Sequence, residues 1–244
     1  MGERSLDRSL KAYGTGEKGL KMPVGLLAAI EIALLALAGV VVRQWWHGSV
    51  GFVYLLLSLF LSTNLLICYW EICLFRRRDY VEVRSGHWRE RRSTTGRHPA
   101  IEFLSTKISL KNTFSSAVWA DVWATYSLSD GSFTDRRSFG FNADVCNGFF
   151  TPIPSLMLYA TFTINFLPAV WAGILGVILF WQWTYVTSVY WVSFFVAKGH
   201  KQIGKGEQYV LIWGTNSPWV LCALVGLYAS IRLIADGNYS VLGG

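Results

Sequence analysis

Apolar positions in this chain fall in long blocks rather than in the alternating pattern of a sheet protein. Pro23–Val42 and Val50–Phe75 are nearly unbroken apolar runs, each near or beyond the roughly 20 residues that carry a helix across a bilayer. A polar stretch follows from Arg76 to about Ser138, and within it Ala117–Tyr126 predicts a short Trp-rich helix at the membrane interface. Phe139–Ile164 is a weaker apolar block, interrupted by Asn142, Asp144, Asn147 and two prolines. Pro168–Ala197, rich in Trp and Tyr, and Tyr209–Ile234 complete the set. The short connections at Gly48 and around Asn165 predict that helices one and two, and then three and four, are antiparallel neighbours. The expected fold is an all-α membrane protein with five transmembrane helices.

Composition agrees with that pattern. Of 244 residues, 52% are hydrophobic and only 15% charged, against about 25% charged in a soluble globular chain. A soluble enzyme, a disordered tail and a disulfide scaffold are excluded. The four cysteines (Cys68, Cys73, Cys146, Cys222) all lie in apolar stretches with no CxxC pair, so neither a disulfide framework nor a metal cluster is expected.

The net charge of +7 matters through its placement. Eight arginines and three acids fall between Arg76 and Pro99. This cluster abuts an apolar span, so membrane orientation or contact with anionic lipid is preferred to a nucleic-acid footprint. With the N-terminus inside, Lys18, Lys21, the arginine cluster, Lys198, Lys201 and Lys205 share one side; Arg43, the 164–167 turn and the C-terminus take the other. The organisation expected is a polar segment over 1–21, a first helix and turn over 22–49, a four-helix core over 50–234 that contains the basic 76–138 loop, and a short tail over 235–244.

Ionisable groups inside a span are costly and call for a reason. Glu31 sits near the middle of helix one; Glu71 lies near the end of helix two, with Asn64 seven residues before it on the same face. Asp144 enters helix three, Gln182 and Thr187 lie in helix four, and Asn216 precedes Pro218-Trp219 in helix five. These faces are expected to converge on one internal cavity. Blander roles compete: a structural or subunit contact for Glu31, helix–helix glue for Asn64, pairing with Arg76 or Arg77 for Glu71, a helix cap for Asp144, and backbone satisfaction at a proline kink for Asn216. Most tryptophans fit an aromatic belt, except the mid-span Trp181 and Trp219. The four histidines (His47, His87, His98, His200) are expected in loops, so no helix-borne metal or haem pair is predicted and no cofactor is expected.

Three segments resemble the EXPERA superfamily, which includes the emopamil-binding sterol Δ8-Δ7 isomerases. Trp123-Ala-Thr-Tyr126-Ser-Leu-Ser-Asp130 is similar to a W-x-x-Y-x-x-x-D element before the third helix. Asp144 followed by Thr151-Pro152-Ile153-Pro154-Ser155-Leu156 is similar to the family's acidic residue with a downstream Pro-Ser-Leu-like stretch. Asn216-Ser-Pro-Trp219 is similar to the N-x-x-W of its last helix, and Glu71 falls where the isomerases carry a glutamate. The likeness runs from about 50 to 234. It implies a five-helix EXPERA-type bundle around a sterol-binding pocket, with Glu71 and Asp144 as acid/base or carbocation-stabilising groups. It implies Asn216, Trp219, Trp123, Tyr126 and Tyr185 as substrate-binding residues. Departures from the family are Ile67 where the isomerases place a histidine, Thr187 near their helix-four acid, and aspartate for glutamate at 144.

Two functions follow as expectations. One is binding of a sterol-like or isoprenoid lipid with isomerisation of a ring double bond. The other is a non-catalytic sterol sensor, chaperone or accessory subunit of a large membrane complex. Expected partners are membrane lipid or a sterol-like ligand and, for assembly, a homodimer or larger membrane complex; no nucleic acid is expected. The resemblance implies the endoplasmic reticulum, while the residues alone also admit a mitochondrial or bacterial inner membrane.

Overall fold

The computed structural model describes residues 19–243; the polar segment expected over 1–21 lies outside the described residues up to position 18. In chain order the main elements are β1 (Lys21–Pro23), α1 (Val24–His47), α2 (Phe52–Arg76), α3 (Arg78–Thr95), α4 (Pro99–Ser105), β2 (Lys107–Ser109), α5 (Ser116–Tyr126), α6 (Phe139–Phe150), α7 (Pro152–Ile164), α8 (Ala169–Val196) and α9 (Pro218–Asp236). A short helix, Lys205–Glu207, runs through a wide π-helical turn, Gln208–Gly214, toward α9. Among the described residues four helical runs are long and apolar enough to cross a membrane: Val24–His47, Phe52–Arg76, Ala169–Val196 and Lys205–Asp236.

The third apolar block forms two short helices. Pro152 lacks the N–H that would continue the ladder, so α6 ends at Phe150 and α7 begins at the proline, while Thr151 N still donates to Asn147 O at 3.1 Å. Ser138 caps α6 by accepting from Phe141 N, which leaves Asp144 in the helix interior rather than in the capping role.

Turn residues close the antiparallel pairs. Gly48 and Asn165 both adopt left-handed conformations (φ 72° and 54°), and their N–H groups bond back to Gln44 O and Thr161 O; glycine and asparagine enter that region most readily. Helices α8 and α9 approach closely along small residues: a Cβ at Gly173 would lie 2.6 Å from Ser230 O. The α1–α2 turn, the α7–α8 turn and the C-terminal residues meet at one end, joined by Gly51 N to Leu242 O (3.1 Å) and Tyr239 Oη to Leu167 O (2.8 Å).

The polar 76–138 stretch is more ordered than the expected loop. Helices α3, α4 and α5 and a two-stranded antiparallel ladder (Met22 opposite Ile108) cap the other end of the bundle. Helix α5 does not lay its tryptophans on the protein surface: Trp119 and Trp123 are buried, in one core with Trp88, Phe103 and Val24. Its Asp121 holds Arg84 of α3 through two bonds of 2.8 and 2.9 Å in a buried, bidentate pair. This pairing is what turns a basic loop into a packed layer, because a buried guanidinium needs a matched carboxylate. Two histidines expected in loops are helical, His47 ending α1 and His87 within α3.

Candidate functional site

Glu71 sits on the α2 face that meets α6, only 3% exposed. Gly148 makes this approach possible: a Cβ there would lie 2.8 Å from Glu71 Cβ and 3.1 Å from Cys68 O. With the backbones so close, Asn147 Nδ2 donates to Glu71 Oε2 at 2.7 Å. The other end of the same amide is also occupied, since Asn147 Oδ1 accepts from Trp183 Nε1 and Thr151 Oγ1, both at 3.0 Å. Glu71 is therefore tied to α6 and does not pair with the arginines that follow it; Arg77 instead donates to Ser116 Oγ at 2.9 Å.

One helical turn before Asn147 on α6, Asp144 meets no hydrogen-bond donor among the described residues and faces the same space. Two further strings of polar contacts surround it. Trp219 Nε1 donates to Asn64 Oδ1 at 2.9 Å, and Asn64 Nδ2 donates to Ser155 Oγ at 3.3 Å, so Asn64 does join helices as its position suggested. Asn216 Nδ2 donates to Tyr126 Oη (3.1 Å) and to Ile212 O (2.9 Å); it thus serves both the turn backbone and a site residue. Tyr126 donates onward to Leu211 O at 2.9 Å. Burial pushes the Tyr126 phenol up to about 12, which keeps it a proton donor across the physiological range. Behind it, Tyr190 Oη donates to Asp130 Oδ2 at 2.7 Å.

A cavity of about 320 Å³ lies among these groups. Glu71, Asp144, Asn216, Trp219, Trp123 and Tyr126 all line it, and so does Ile67. Trp123 is fixed by Nε1 to Trp70 O (2.8 Å) and stacks on Phe133 at 5.0 Å. Gln182 and Thr187 also reach the walls. Tyr185 does not: it is 57% exposed and stacks on Trp181, itself turned outward. Two helix residues apart, positions 185 and 187 point about 200° apart around the axis. Trp183, one turn from Thr187, is among the wall residues that sequence reasoning missed. Asn147 was visible only as a residue weakening a span. Glu31 lies outside the cavity, with Oε1 buried and unbonded among the described residues. No trio of His, Cys, Asp or Glu gathers as a metal site among the described residues.

Comparison with protein-family models, with curated proteins and with solved structures finds no match to this chain.

Proposed function

We propose that the chain is a five-span membrane protein of the EXPERA type that binds a sterol-like or isoprenoid lipid and shifts a ring double bond within it. The supporting observation is the convergence of Glu71, Asp144, Asn216 and Trp219 on one aromatic-walled cavity. Its volume is at the lower end of the roughly 300–1,000 Å³ of small-molecule sites. The fifth span in this reading is α6 with α7, which covers roughly 39 Å from Phe139 to Ile164 at 1.5 Å per residue.

The chemistry needs no cofactor in this reading. Asp144, without a donor, suits the acid that gives a proton to one alkene carbon, leaving a carbocation on its neighbour. Glu71, held by the Asn147 amide, suits the carboxylate that stabilises the cation and then takes a proton from the adjacent carbon, re-forming the double bond one position along. No electrons are gained or lost; the step leaves Asp144 ionised and Glu71 protonated, and a proton passing from Glu71 back to Asp144 across the cavity they share restores the site. Trp219 and Trp123 present π faces to the cation, and the largely apolar walls disfavour water that would trap it.

Glu71→Gln and Asp144→Asn are each expected to reduce conversion at least 100-fold in a sterol-feeding assay in an isomerase-deficient strain, while the purified variants keep saturable sterol binding. Wild-type protein that inserts correctly yet neither converts nor binds sterol would refute the reading. The non-catalytic alternative rests on one observation, that Ile67 lines the cavity where the resemblance implies histidine. It predicts sterol binding without conversion, and conversion gained on Ile67→His would return the case to the enzyme.

A further inference from the structure

The opposite end of the bundle holds a second cavity, of about 630 Å³, where the α1–α2 turn, the α7–α8 turn and the C-terminal residues meet. His47, Asn165 and Tyr239 are among its walls. One turn before His47, on the same face of α1, lies Arg43, whose side chain is fully buried. Its Nη1 donates to Phe162 O at 2.6 Å, and its guanidinium rests 4.8 Å from the centre of the Tyr54 ring. Nε and Nη2 have no hydrogen-bond partner among the described residues. The side chains that act on it electrostatically are Tyr54 and the cavity residue Tyr239, not a carboxylate. His47 Nε2 and Asn165 Oδ1 are likewise buried and unbonded.

An unpaired buried cation is strongly unfavourable; Arg43 is not itself a wall of the cavity, but its charge acts on the wall residues His47 and Tyr239, and two further unused polar atoms belong to the walls. An anion from outside the chain, entering as these side chains part, satisfies the guanidinium donors, and a hydroxyl carried on the same molecule satisfies the Asn165 acceptor. The surroundings indicate its source. Trp45, Trp46, Phe166 and Trp171 are exposed around the same end, as in the aromatic belt that marks the headgroup layer of a bilayer. We propose that Arg43, His47 and Asn165 form a binding site for a phosphate ester, the headgroup of an anionic phospholipid. The guanidinium takes the phosphate oxygens in the forked geometry that arginine favours, and Asn165 Oδ1 accepts from a hydroxyl on the same headgroup. The site is separate from the carboxylate-lined cavity and stands whether or not the sterol reading holds.

Thermal unfolding of the full chain in a neutral detergent tests this, with dioleoyl-phosphatidylglycerol, dioleoyl-phosphatidylcholine or inorganic phosphate added. Phosphatidylglycerol is expected to raise Tm saturably, as any ligand of the folded state does, and phosphatidylcholine to leave it unchanged. Arg43→Lys, which keeps the charge but loses the fork, and His47→Ala are each expected to raise the half-saturating lipid concentration about tenfold, equivalent to about 1.4 kcal/mol. Asn165→Gly preserves the left-handed turn while removing the side chain, so it carries the test if Arg43→Lys fails to fold. A shift reproduced by inorganic phosphate and weakened by the same variants supports the phosphate site and assigns it to the free ion. Equal shifts with both lipids, no shift with any probe, or shifts that the variants leave intact would overturn the proposal.

Discussion

His98 shows how one residue carries a pH dependence that hydropathy does not reveal. Its Nδ1 accepts from Ala100 N at 3.3 Å and so caps α4, a role that only the neutral ring can play. Burial, aided by Arg92, holds His98 below the usual histidine range, against an opposing pull from Glu207. A folded value below the unfolded one means that the unfolded chain binds the proton first. His98 therefore costs stability as pH falls through about 6.5. His98→Asn, which can still cap, is expected to flatten the fall in Tm between about pH 7 and pH 5.5 relative to wild type; parallel Tm profiles would remove the histidine from the explanation. At this same scale the site was only partly legible. Glu71, Asp144 and Asn216 are conspicuous because charge and amide groups stand out in apolar blocks. Asn147 was not singled out, since its value comes from a partner 76 positions away on another helix. Tyr185, which the resemblance implies for the pocket, faces outward because its helical phase sets it about 200° from Thr187.

Gly148 sets the spacing between α6 and α2, and so the position of Glu71 against Asn147. Gly148→Ala forces a methyl against Glu71 Cβ and the Cys68 carbonyl, and neither backbone can yield without moving a helix. A loss of about 1–3 kcal/mol in unfolding free energy is expected from such overpacking, with Gly148→Ser no better; an unchanged urea midpoint would contradict the close approach. Element existence was well signalled where apolar blocks are long, as in α1, α2 and α8. The break at Pro152 was signalled by the proline itself. The cap built from α3, α4, α5 and the Met22–Ile108 ladder was not, because its order depends on pairing across the chain. The Arg84–Asp121 pair looks in sequence like two more charges in a charged loop.

The whole molecule sorts its charge by end. The basic cap holds Arg77, Arg84 and Arg92, the last joined to Glu207 ahead of α9, whereas the Arg43 end carries the two tight turns and the C-terminal residues. If the basic end faces the cytoplasm or matrix, single cysteines at Ser93 and Ser240, in a background with Cys146 and Cys222 replaced, are expected to react with impermeant maleimide from opposite sides. Labelling of both from the same side would refute the five-span arrangement, since it leaves only α8 and α9 to cross between them. The divided segment α6–α7 has a consequence for how such a chain is made. An insertion machinery samples segments roughly one at a time, and a stretch bearing Asn142, Asp144 and Asn147 partitions poorly into lipid alone. Its polar face becomes acceptable only once α2 has arrived with Glu71 and Cys68 to receive it, and it is completed by Trp183 of α8, which the ribosome has yet to deliver. In the five-span reading the pocket helix waits for its later neighbour, so substitutions at Asn147 are expected to lower the fraction of chain that inserts as well as the stability of the folded state.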